Sequence, residues 1–237
     1  MILQHLRPAL FLHIPKTAGT TLIEIAAQHY GDRNCLSHSD YMKYPLENYR
    51  HVPFISGHFG YAIAGHLLDG RYSFTFLRDP IERVLSFYSF CRTRDPDEFD
   101  IYRIVQSNSL DRFLEMALES PNEFSHVWNN QVWMLAHGWG GSHSFNDYTE
   151  ARLLKLAKAH LDRLSHVGFT ETFPADLRII FANLGIGHEG ALAHSNATPE
   201  RLTRDGLPAS TLRLLDRVTA LDRELYDYAR SRRSGGS

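Results

Sequence analysis

The sequence predicts an α/β fold of three layers, a central parallel sheet flanked by helices. Three observations carry that expectation. Short apolar runs give way to stretches of helical periodicity, the first such junction has the composition of an anion-holding turn, and a later one opens on an Asp-Pro helix start. Strands that alternate with helices pair in parallel through right-handed crossovers, which cover both faces of the sheet.

The first apolar run is Ala9 to Ile14, and Leu22 to Ala27 continues as helix. Between them Pro15 to Thr21 supplies one glycine, one lysine and three hydroxyls. Unpaired N–H groups at a helix start, together with the helix dipole, favour an anion there. Val52 to Ser56 reads as a second strand and Tyr72 to Leu77 as a third. Asp79 is a helix N-cap and Pro80 a first-turn proline, so Ile81 to Cys91 is helical, with Ile81, Val84, Leu85 and Tyr88 on one face. Further helices are expected over Ser109–Leu118, Asn129–Ala136, Thr149–Leu161, Pro174–Leu184 and Pro208–Ala229, with His166–Phe169 as another strand. Asp95 to Asp100 is acidic and reads as a solvated loop.

At 237 residues, 43% hydrophobic and 22% charged, the chain suits one well-buried domain, assigned to residues 1–230, with 231–237 as a disordered polar tail. A net charge of -2 with scattered basic residues offers no field for nucleic acid. The two cysteines, Cys35 and Cys91, give no disulfide framework and suit a reducing compartment. The N-terminus lacks a leader pattern, and no apolar run approaches the roughly 20 residues of a membrane span. A cytoplasmic protein is expected.

Ligands of open α/β sheets sit at the carboxyl ends of the strands. Lys16, His58 and Arg78 each follow a predicted strand, which places them at one rim. Histidine is suited to proton transfer near neutral pH. Arginine offers a rigid, permanently charged fork for phosphate, although Arg78-Asp79 also reads as a plain helix cap.

The loop is not the triphosphate loop GxxxxGK[ST], because its lysine precedes its glycine and the first glycine is missing. PKTAGTT instead resembles the 5'-phosphosulfate loop of the sulfotransferases that use 3'-phosphoadenosine 5'-phosphosulfate (PAPS). The branch it is similar to contains the heparan sulfate 2-O-sulfotransferases and bacterial carbohydrate sulfotransferases, and the likeness runs from Phe11 to about Tyr228. That resemblance implies a P-loop-like fold, with Lys16, Thr17, Ala18, Gly19, Thr20 and Thr21 wrapped around the phosphosulfate. Phe74 to Tyr88 looks like the family's 3'-phosphate motif, with Arg78 and Ser86 as ligands, and Ile55 to Tyr61 resembles the segment bearing the catalytic histidine, here His58. His194 to Arg204 is similar to the segment that closes over the nucleotide, with Arg201, Asn196 and Thr198 as candidates, and equally reads as a plain N-cap and helix start. Asn129 to Gln131 resembles an acceptor-side segment and equally reads as helix capping.

The implied reaction is in-line sulfuryl transfer from PAPS to a hydroxyl of a glycan or small metabolite, with Lys16 stabilising developing charge and no metal. Tyr41, Tyr44, Tyr49, Phe59, Tyr61, Trp128, Trp133 and Trp139 are candidates to line an acceptor cleft, although aromatics are more often core. The stretch His137 to His143 lacks a third well-spaced metal ligand. The alternatives are a P-loop nucleotide kinase, disfavoured by the missing GxxxxGK, and a noncatalytic nucleotide-binding protein.

Overall fold

The computed structural model describes residues 6–36, 43, 45–139, 143–187 and 202–234. Its centre is a sheet of five parallel strands, β1 (Ala9–Leu12), β2 (Cys35–Leu36), β3 (Phe54–Gly57), β4 (Tyr72–Leu77) and β5 (His166–Phe169), in the order β2-β3-β1-β4-β5. The α/β class expected from the alternation of elements is the class observed. Strand β1 is central, and Leu12 is in register with Gly57 of β3 and Thr75 of β4, so three strand ends open side by side.

Side-chain alternation along β1 assigns the two layers. Leu10 and Leu12 pack with α6 (Asn130–Ala136), α7 (Glu150–Leu161) and α10 (Ala220–Ser234). Ala9 and Phe11 pack on the other face with α1 (Gly19–Tyr30) and α8 (Phe173–Leu184). A further core joins α3 (Pro80–Cys91), α4 (Asp100–Ser107), α5 (Leu110–Glu119) and α9 (Ala209–Val218). At the amino ends of the strands, Arg71 donates to the carbonyls of Tyr49, Arg50, Val52 and Pro53 and fixes the entry to β3.

The differences from expectation are local. The helix expected over Pro208–Ala229 is two helices, broken at Thr219. The amides of Leu221 and Asp222 bond the Asn129 side-chain oxygen at 2.8 and 3.1 Å, so a distant asparagine caps α10 and gives it a new start. The short strand β2 and the one-turn α2 (Tyr61–Ala64) lay below the length at which periodicity shows, and α4 begins at the last residue of the expected acidic loop. The tail expected to be disordered from Ser231 is helical through Ser234, because Arg233 reaches the buried Asp176 carboxylate at 3.0 Å and Arg232 pairs with Asp162. No helix among the described residues is long and apolar enough to cross a membrane.

Candidate active site

The turn after β1 is shaped by its own backbone. The Thr17 hydroxyl donates to the Ile14 carbonyl at 2.8 Å and is fully buried, which commits that side chain inside the loop. Lys16 and Ala18 adopt left-handed φ of 70° and 65°, uncommon for residues with a Cβ and typical of functional turns held by their surroundings. Ala18 gives α1 no side-chain cap, and the helix carries no acidic residue in its first turn, so its positive end is not neutralised from within. Thr20 is exposed and Thr21 half-buried, in the first turn of α1. Gly19 has a steric reason to be glycine: a Cβ there would lie 2.2 Å from the His13 ring.

Strand β4 delivers Arg78 to the same place. Its guanidinium donates to the Lys16 carbonyl at 2.9 Å, tying the two strand-end segments together. Asp79 then caps α3 by accepting from the Glu82 amide at 3.1 Å, with Pro80 in the first turn. The cap and the arginine fork therefore coexist. Ser86 lies on α3, and one turn later the Phe90 ring receives the Lys16 ammonium 4.0 Å from its centroid. Residues four apart share a helix face, so Ser86 and Phe90 turn the same side of α3 toward the lysine loop.

Strand β3 ends at Gly57 and hands over His58. Its Nδ1 lies 2.8 Å from the His13 carbonyl oxygen, and its ring packs on the His13 ring at 4.4 Å. A carbonyl only accepts, so Nδ1 carries a proton, and Nε2 is the nitrogen at which the ring exchanges its other proton. The path of this loop depends on two glycines. Gly60 and Gly138 have φ of +74° and +84°, and a Cβ on Gly60 would lie 2.3 Å from the Gly138 Cα. The Ala62 amide donates to the His137 carbonyl at 2.7 Å across the same contact.

Lys16, His58 and Arg78 thus close the ends of three adjacent strands, with an uncapped helix start beside them. The model of the Sulfotransferase family matches residues 3–229. The chain belongs to the sulfotransferase family. No curated protein matches it. The sulfotransferase carries its loop, histidine and arginine after β1, β3 and β4 in that order along the chain, and Arg201, Asn196 and Thr198 lie outside the described residues.

Several candidate residues of this sulfotransferase take the structural one of the two roles their sequence allows. Asn129 caps α10, and Asp222 of α10 in turn accepts from the amides of Gln131 and Val132 at 3.2 and 2.7 Å, so α6 and α10 cap one another. Tyr49, Phe59, Tyr61, Trp128 and Trp133 belong to the core. Tyr41 and Tyr44 lie outside the described residues, and Trp139 is partly exposed, 4.6 Å from the His126 ring. Among the described residues no group of three or more His, Cys, Asp or Glu side chains is placed to hold a metal.

Arg83, on α3 five residues after Arg78, is fully buried. It donates to the His126 carbonyl at 2.9 Å, and among the described residues its Nε and Nη1 have no hydrogen-bond partner. Burial draws its pKa down to about 10, with Asp222 opposing and Arg78 reinforcing the shift. Burial also pushes His126 down to about 4, helped by the charges of Arg83 and His58, so this imidazole is neutral near pH 7.

Proposed function

We propose that this sulfotransferase moves the sulfuryl group of PAPS to a hydroxyl of a carbohydrate or small metabolite, with His58 as general base. The observation that carries the proposal is the Nδ1–H bond from His58 to the His13 carbonyl, which assigns proton exchange to Nε2, on the strand next to the lysine loop. The uncapped start of α1 and the left-handed turn before it suit the phosphosulfate, since N–H groups in such turns form anion-binding concavities. Lys16, Thr17, Ala18, Gly19, Thr20 and Thr21 make this 5' subsite, with Thr17 contributing its main chain. Arg78 and Ser86 take the 3'-phosphate, and Arg201 is proposed to close over the nucleotide.

The acceptor oxygen forms its bond to sulfur as the bond from sulfur to the bridging oxygen breaks. The acceptor proton passes to His58 Nε2, and 3'-phosphoadenosine 5'-phosphate (PAP) leaves with the electron pair. Lys16 stabilises charge gathering on the bridging and sulfuryl oxygens, a role that a fixed cation fills without reorganisation. No metal is assigned to this step. Thermal stabilisation by PAP without magnesium, set against ATP with magnesium, tests the donor: PAP alone is expected to raise the melting temperature. Stabilisation by ATP with magnesium and none by PAP would point to a kinase.

A further inference from the structure

Arg78 lies one residue beyond the β4–β5 ladder, whose last pair is Leu77 with Phe169. A side chain takes over where the strand partner stops. The Gln131 carboxamide oxygen accepts from the Arg78 amide at 3.0 Å, and its nitrogen donates to the Arg78 carbonyl at 3.0 Å. Of the side chains that fit here, a carboxamide is the one that offers an acceptor and a donor side by side, as a peptide group does. Gln131 is buried, and its own main chain is fixed because its amide donates to the Asp222 carboxylate. Beyond the clamp, the Arg78 guanidinium holds the carbonyl of Lys16, a residue kept in a left-handed conformation that the surroundings must impose.

We propose that Gln131 is a positioning residue for the donor site, acting through Arg78 on the Lys16 loop. The chain of contacts runs from α10 through Asp222 to α6, then through the Gln131 amide to Arg78 and the Lys16 carbonyl. The identity of the ligand rests on the PAPS reading above, while the clamp itself is a property of the ligand-free protein. It also assigns a task to the Asn-Asn-Gln segment that touches no acceptor.

Two measurements test it. NMR titrations with PAP on wild type, Q131M, R78A and the double variant form a double-mutant cycle, which isolates action through Arg78. Losing two neutral hydrogen bonds is worth about tenfold in affinity, so Q131M is expected to weaken PAP by about that factor, and by less than about twofold once Arg78 is already alanine. Equal losses in both backgrounds would overturn the proposal. Hydrogen exchange at the amides of 17–21 is then compared in ligand-free wild type, Q131M and Q131E. Exchange is expected to accelerate in Q131M and, because glutamate can accept from the Arg78 amide but cannot donate to its carbonyl, to a smaller extent in Q131E. Unchanged exchange in Q131M, with the fold retained, overturns the clamp. Failure of wild type to bind PAP refutes the donor reading instead, and the exchange data still decide the clamp.

Discussion

His58 and Lys16 separate chemistry from binding. A positioned base contributes about 10² to 10⁴ in rate, so H58A is expected to lose turnover by that factor while PAP affinity stays within about twofold in calorimetry. A preorganised charge at a developing oxyanion is worth about 10² to 10³, and K16M is expected to lose turnover on that scale and to weaken PAP as well. Two buried groups set opposite pH dependences of stability. The folded chain refuses a proton at His126, whose pKa is pushed from 6.5 to about 4, so stability is lost as pH falls through that window. Burial raises Asp222 from 3.8 to about 6, so the folded chain takes that proton first and this group's contribution declines as pH rises between those values. Denaturant unfolding against pH is expected to show H126Q removing the first slope and D222N the second.

At the scale of elements, the site depends on where strands stop and what meets them. The Gly60–Gly138 contact sets the path of the His58 loop, and both residues have φ values that a Cβ strains at about 1 kcal/mol or more. G60A adds a clash with the Gly138 main chain, so thermal unfolding is expected at a lower temperature and turnover is expected to fall with it. The two glycines stand far apart in sequence, Gly60 beside His58 and Gly138 in the His-Gly-Trp-Gly-Gly stretch, and no local pattern tells that they meet. The α9–α10 break had no local signal. Its cause is the Asn129 side chain about ninety residues away, and helical periodicity runs straight across Thr219. Gln131 was visible as a polar residue at a helix start, but its bonds to Arg78 exist only once α6 meets the end of β4.

Across the whole molecule, the parts legible in sequence are those encoded locally. β4 and β5 have the bounds that their apolar runs predict, and three strand ends carry lysine, histidine and arginine because each polar residue comes within two residues of the end of its run. The expectation of one rim followed from parallel pairing, and the order β3-β1-β4 puts those ends side by side. What could not be read locally is burial that depends on long-range packing. Arg83 is fully enclosed although arginine is a residue type that mostly lies at the surface, and five of the candidate cleft aromatics are core. The most direct test of sulfuryl transfer is an acceptor library incubated with isotopically labelled PAPS and read by mass spectrometry, with wild type and H58A run in parallel. Labelled sulfuryl on an acceptor hydroxyl with wild type, reduced by about 10² or more with H58A, is the predicted result. Equal labelling by the two proteins would contradict the role of His58, and labelling of acceptors by the γ-phosphate of ATP in place of sulfuryl would contradict the reaction itself.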